Sequence, residues 1–236
     1  MGHGCTIWDY VNGKTPKYDT LVVGKTPEVF QKIGLNPLPM TYGTGHLSDV
    51  LKGNVQDHDF GEENLKQIPK ALESPVAIIA SKTKPDSSIV AIIDLSSGDK
   101  PLFAAVEIDG YGMLNKESID SNAITSIHER RNAPSLLSDA IANNKDDSIS
   151  VFYVDKEKAT RLLDASGVQF PGPTALPDGY VHSIHDNGSP VKSKFQSVTQ
   201  TQQFKRWFGD WSKHPETASK VVNEEGTPKV VYYGTA

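Results

Sequence analysis

Ser126 and His128 stand two residues apart, followed by Glu129, Arg130 and Arg131. If this stretch is extended, the serine and histidine share one face, about 7 Å apart along the strand. The two arginines then sit at the strand end, where side chains reach water. A hydroxyl, an imidazole and guanidinium groups in that order can grip a phosphate and move a proton. The plainer reading is a polar strand end with solvated charges. His58 is the first choice for the proton carrier. It comes just before Asp59-Phe60-Gly61-Glu62, which has the form of a helix capping box, so it would lie at a helix N-terminus that attracts phosphate. Its plainer reading is a loop histidine bonded locally. Metal-free RNA cleavage needs a base for the 2′-hydroxyl, an acid for the leaving oxygen and a charge or donor for the crowded phosphorane. His58, Ser126, His128 and Arg130 are the catalytic candidates. Lys66, Arg131, Tyr153 and Lys156 are candidate substrate contacts, although Tyr153 could simply pack and Lys66 could belong to a solvated helix face.

Other groups carry weaker chemistry. His182, His185 and Asp186 form a small cluster, but two imidazoles and one carboxylate without a cysteine pair do not make a zinc signature. His46 and Asp49 are too sparse for a metal. Gly110-Tyr111-Gly112 lacks the lysine and following helix of a phosphate loop. No metal and no cofactor is expected. Cys5 is the only cysteine, so an internal disulfide is excluded and a reducing compartment fits.

The elements that must position these residues follow from periodicity. Val29, Phe30 and Ile33 after Thr26-Pro27 predict a helix with proline at its first position. Leu35 to Tyr42 reads as extended. Leu47, Val50 and Leu51 predict a short helix. Leu65, Ile68 and Leu72 predict another, with Pro69 as a bend or early stop. From Pro75 the texture changes. Residues 76–81, 89–95, 102–108, 123–129 and 148–154 read as strands, the first three as an antiparallel meander. Residues 134–143 and 156–165 read as helices. Helices first and then a sheet is an α+β pattern: N-terminal helices on a mainly antiparallel sheet of about five strands, with a short C-terminal helix-strand appendage. The expected divisions are an extension over 1–20, an α+β domain over 21–167, a linker over 168–198 rich in proline and glycine, and a terminal module over 199–236. Phe204, Trp207, Phe208 and Trp211 fall at helical spacing and are expected to pack as core.

The chain has 236 residues and a net charge of -5, against non-specific polyanion binding. A local basic site on an acidic surface remains compatible with a nuclease. No apolar run approaches the ~20 residues of a membrane span, and Met1 to Cys5 lacks the pattern of a signal peptide. No membrane partner is expected, and the location expected is bacterial cytoplasm or a phage particle.

Residues from about Leu21 to Ile184 resemble the phage MuF C-terminal domain found in phage and polyvalent toxins. The matching residues are Leu21 to Pro27, Leu38-Pro39-Met40, His58 before Leu65 to Pro69, Ser74-Pro75-Val76, Asn122 to Ser126, Tyr153 to Lys156 and Gln169-Phe170-Pro171. That family is similar in layout to compact toxin nucleases of the barnase, EndoU, colicin and RelE type. The resemblance implies metal-independent RNA cleavage, RNA as substrate, and an immunity protein or a phage structural protein as partner. The alternative is a non-enzymatic phage interaction or packaging module. Thr201 to Ala236 resembles the opening of an ADP-ribosyltransferase-like domain of polyvalent proteins. In that family the strand reads Tyr-His-Gly-Thr, its histidine helping to hold NAD. Here it reads Tyr232-Tyr233-Gly234-Thr235, and the strands with the catalytic glutamate do not follow. A truncated, inactive transferase fragment is expected, and with it no NAD.

Overall fold

The computed structural model describes residues 6–14, 20–45, 47, 50, 60–97, 100–114, 117–145, 148–171, 176, 179–186, 191, 207–209, 214, 216–222 and 228. They fall in two compact units, Met1–Ser193 and Lys194–Ala236. The described elements of the first unit are α1 (Ile7–Val11), β1 (Thr20–Lys25), α2 (Glu28–Lys32), β2 (Pro39–Gly43), α3 (Gly61–Glu73), β3 (Ala77–Ala80), β4 (Ser88–Ser97), β5 (Lys100–Leu114), β6 (Glu117–Glu129), α4 (Ala133–Ala142), β7 (Val151–Val154) and α5 (Lys156–Ala165).

The strands form one seven-stranded sheet in the order β1-β2-β6-β5-β4-β3-β7. Every neighbouring pair is antiparallel except β2 with β6, which is parallel. The α+β class and the meander β3-β4-β5 match the reading of the apolar runs. Two strands more than expected are present, because the short segments Thr20–Lys25 and Pro39–Gly43 add to the β6 edge as an antiparallel ribbon. The hairpin β5-β6 also runs far beyond its apolar centre, through residues that read as a glycine-rich link. Gly112 permits this. A side chain there would come within 2.9 Å of the Thr20 hydroxyl and 3.0 Å of the Thr41 hydroxyl.

Both faces of the sheet are covered, by separate cores. One contains Ile78, Ile89, Ala91, Ile93, Ala104 and Val106 from the strands, with Phe30 of α2 and Leu65, Ile68 and Leu72 of α3. The other joins Ala77, Ile79, Ile92 and Phe103 to Leu137 of α4 and Ala159 of α5. Alternation along β4 and β5 distributes these residues, since successive side chains point to opposite faces.

Local chemistry at the helix starts differs from the sequence reading. Thr26 does not cap α2. Its hydroxyl donates to the Leu38 carbonyl at 2.6 Å, while Pro27 takes the cap position without a side-chain bond. Phe60 takes the cap position of α3, and Asp59 lies outside the described residues. Pro69 sits inside α3, which continues to Glu73 because Leu72 is buried one turn on. The N-terminal stretch holds a helix of its own, α1, closed by a reciprocal capping box between Thr6 and Asp9. Bonds from the Thr6 backbone and hydroxyl hold the Asp9 carboxyl below its ordinary range.

One buried amide ties the far end of the sheet together. Asn122 is fully buried. Its Nδ2 donates to the Thr26 hydroxyl at 2.7 Å and the Asn36 carbonyl at 2.9 Å, and its Oδ1 accepts from the Asp109 N–H at 3.2 Å. Ile108 and Asp109 together oppose Asn122 alone, a β-bulge, and Asp109 adopts φ +49°. Asn36 Nδ2 holds Asp109 Oδ1 at 2.8 Å. Within the segment read as a linker, residues 180–184 run along the outer edge of β7: the Val154 N–H donates to the Tyr180 carbonyl and the His182 N–H to the Phe152 carbonyl. His185 then reaches α2, its Nε2 lying 2.7 Å from the Gly34 carbonyl oxygen.

In the second unit Phe208 is buried whereas Trp207 is 80% exposed. The expected aromatic core therefore takes one of this adjacent pair, as neighbours on a helical turn point about 100° apart. Phe204, Trp211 and Tyr233 lie outside the described residues.

Asn122→Ala removes three hydrogen bonds of a buried amide and should lower stability by about 3 kcal/mol, read as a reduced denaturant midpoint at unchanged slope. Gly34 has φ +105°, and a Cβ there would lie 2.7 Å from His185 Cδ2. Gly34→Ala should therefore cost about 1–3 kcal/mol, and replacing His185 by Ala in the same chain should recover part of that loss.

Candidate functional site

β6 places the principal candidates. Ser126 pairs with Ala105 and His128 with Phe103. Both are half-buried and lie on the Phe103 face, away from the larger core. A bulge at Thr125 sets this phase: Val106 pairs with Ile124 but Ala105 with Ser126. Ile124 and Ile127, three apart, can then both enter the larger core. The His128 ring lies 6.4 Å from the Phe103 ring at 53°. Ser126 and His128 thus stand at the rim of the smaller core.

The charged tail of the motif divides. Glu129 turns to the opposite side, is 7% exposed, and receives Lys100 Nζ at 2.6 Å. Arg130 and Arg131 are exposed beyond the strand end, with the Arg130 N–H donating to the Pro101 carbonyl. Hydroxyl, imidazole and guanidinium groups are therefore presented along one sheet border. Glu107 joins the Ser126 face. A side chain on Gly110 would meet Glu107 at 3.4 Å and Ala123 at 3.6 Å, which locates both on one side of the hairpin. Sequence reading passed over Glu107 because it is one carboxylate inside an apolar run. Only the strand register puts it beside the candidates.

The remaining candidates are dispersed. His58, His46 and Asp49 lie outside the described residues. Lys66 is on α3, on the other face of the sheet. It is ion-paired to Glu62 and Glu63 and sits 5.1 Å over the Trp8 ring. Bonds to Glu62 and then Glu63 raise its ammonium above the ordinary value. Tyr153 and Lys156 come together at the end of β7, where they line a common cavity. Three strands separate them from β6. Burial pushes the Tyr153 phenol above its ordinary value of 10.0, and the Asp155 carboxylate pushes the same way.

The His182–His185–Asp186 group is a structural strap. His182 Nε2 lies 3.7 Å from Asp186 Oδ2, and the Tyr180 ring stacks on His182. Among the described residues no group of three or more His, Cys, Asp or Glu side chains is placed to hold a metal ion. Among the same residues no helix is long and apolar enough to cross a membrane.

The fold and its site define an α+β domain whose mainly antiparallel sheet has helices on both faces and a polar strand border. Residues 49–161 match the family profile of the phage MuF-C-terminal domain. The match includes α3, β3 to β7, α4 and the first part of α5, together with every candidate residue named for catalysis or substrate contact. It is narrower than the resemblance drawn over residues 21–184, since β1, α2 and β2 precede it. A phage-associated domain is thereby indicated. No curated protein and no solved structure matches the chain.

Because the folded Tyr153 phenol stays protonated above 10.0, its contribution to stability is present below that pH and is lost as the pH rises beyond it. In an alkaline titration, Tyr153→Phe should remove part of the phenolate absorbance that appears above pH 10.0 and flatten the loss of stability above that pH.

Proposed function

We propose that this phage-associated domain is a toxin-type module that cleaves RNA without a metal ion. The observation that carries the reading is the half-buried sheet border where Ser126 and His128 share a face and Arg130 and Arg131 project beyond it. In the reaction a base takes the 2′-hydroxyl proton, the 2′-oxygen attacks phosphorus, and an acid protonates the departing 5′-oxygen. His128 serves one proton transfer. Ser126 donates to a phosphate oxygen, and Arg130 answers the charge that builds on the phosphorane. His58 or Glu107 serves the other transfer. His58 is favoured by its place in the sequence and Glu107 by its place on the sheet. An immunity protein is the expected partner of such a module, acting in bacterial cytoplasm or from a phage particle. The segment after residue 200 is read as ADP-ribosyltransferase-like.

A specific observation supports the second reading, a non-enzymatic interaction or packaging module. Lys66 is held by Glu62 and Glu63, Lys100 by Glu129, and Lys158 by Ser74 and Asp155. These lysines are committed to partners within the fold, on a chain of net charge -5.

Incubation of the purified chain with total cellular RNA in EDTA separates the two. Cleavage should occur, and His128→Ala should slow it by about 100-fold or more while leaving the circular dichroism unchanged. His58→Ala and Glu107→Gln then identify the second proton carrier. Intact RNA at high protein concentration would sink the nuclease reading in favour of the interaction module.

A further inference from the structure

Ser88, at the start of β4, is 3% exposed, and its Oγ is buried without a hydrogen-bond partner among the described residues. Burying a hydroxyl unbonded costs free energy, and buried hydroxyls are ordinarily paired. Directly across the β4-β5 ladder stands Glu107, the two Cβ atoms about 5 Å apart. The next pair, Ile89 and Val106, enters the larger core, so Ser88 and Glu107 point to the other face of the sheet, the face of Ser126. The Glu107 side chain is half-buried and takes part in no ion pair or hydrogen bond among the described residues. A carboxylate and a hydroxyl, both without partners, thus face one another on adjacent strands.

The surface around the pair is low. Helices cover the Ile92–Phe103 row of this face. One row on, Ala105 and Ser126 are half-buried, as is Ala123 opposite Glu107. With nothing larger than serine at these positions, a planar ring can lie against the strands. Glu107 leans along β5 over Gly110, where a Cβ would lie 3.4 Å from its Cγ. Phe103, the residue opposite His128, is four residues away, roughly 13 Å along the strand. A group that exchanges a proton at the scissile phosphate must come within about 3 Å of the reacting oxygen, and Glu107 leans away from His128. Its place suits the base of a neighbouring nucleotide instead.

An ionised carboxylate only accepts, through two oxygens, whereas a hydroxyl can donate. Proteins read unstacked RNA bases by such groups on the Watson–Crick edge. Guanine offers two adjacent donors there, N1–H and N2–H, beside one acceptor, O6. Adenine and cytosine offer one donor next to an acceptor, and uracil one donor between two acceptors. We propose that Glu107 and Ser88 form a guanine-binding site beside the Ser126–His128 border. Glu107 accepts from N1–H and N2–H, Ser88 donates to O6, and the ring lies on Ala105 and Ala123. The role of the site, fixing where RNA is cut, rests on the nuclease reading of that border. Glu107 is then a specificity residue, and the second proton transfer falls to His58.

Calorimetric titration of the whole chain with the 3′-monophosphates of guanosine, adenosine, cytidine and uridine tests it, beside mapping of the ends produced from RNA in EDTA. Guanosine 3′-monophosphate should bind with a Kd of about 1 mM or tighter, and about tenfold or more tighter than the other three. Glu107→Gln puts a donor where guanine needs an acceptor and should abolish that preference. Ser88→Ala should weaken guanosine 3′-monophosphate by about threefold to tenfold. Its denaturant midpoint should not fall, because the hydroxyl has no partner in the fold to lose. Equal affinity for the four nucleotides, no saturation at about 10 mM, or an unchanged preference in Glu107→Gln would each overturn the proposal. Guanosine-selective binding with intact RNA would uphold the site and sink the nuclease reading. Cuts made without regard to guanine would overturn the site and uphold the nuclease.

Discussion

The carboxamide of Asn122 is the constraint on which the rest of the sheet depends. Its three hydrogen bonds join β6 to Thr26 between β1 and α2, to the link before β2 and to the bulge in β5. Each of those partners is a polar group that would cost free energy if buried alone. A parallel pair such as β2-β6 cannot be closed by a tight turn, so something other than chain connectivity must hold its register. The amide does this, and the Thr41–Ser121 hydroxyl contact at 2.8 Å adds a second polar tie beside it. The Asp109 backbone is held in a conformation that non-glycine residues seldom adopt. The bulge also bends the β5-β6 hairpin, so that its glycine-rich outer half reaches Thr20 and Thr41 beside it.

Covering both faces of the sheet shapes the candidate site. Most strand residues are committed to one core or the other, and polar groups are left at the borders of the helices that cover them. Ser126 and His128 stand at such a border because α4 packs on the Phe103 side of the sheet. The Thr125 bulge decides which of their neighbours are buried. A strand without it would send either Ile124 or Ile127 to the wrong face. The same alternation separates Glu129 from His128 and leaves it paired with Lys100. A run of polar residues that looks like one cluster is in fact shared between two environments.

The two outer edges of the sheet differ. At β7 the edge is shielded by residues 180–184, whose amides and carbonyls pair with it, and His185 anchors that strap to the end of α2. Such covering is how sheets avoid edge-to-edge association. Proline and glycine content made this stretch read as a linker. Ile184, fully buried at 1% exposure, supplies the contact that makes it structure.

Alternating apolar residues and helical spacing by themselves determined the α+β class, the meander, α4 and α5, because burial of a strand face or a helix stripe leaves a period in the chain. They also brought Ser126 and His128 to one face, since that needs only the two-residue repeat of a strand. The sequence could not reveal β1 as a sheet edge, the outer half of the β5-β6 hairpin or the grouping of Glu107 with Ser126. Those rest on register, on bulges and on glycines that permit close approach, and none of these has a period. Tyr153 and Lys156 are neighbours in sequence, yet only the tertiary structure gives them a cavity, with Arg161 and Gly179, far from β6. Burial repeats along a chain and can be read there. Adjacency between distant segments is set by hydrogen bonds such as those of Asn122, whose partners no local pattern announces.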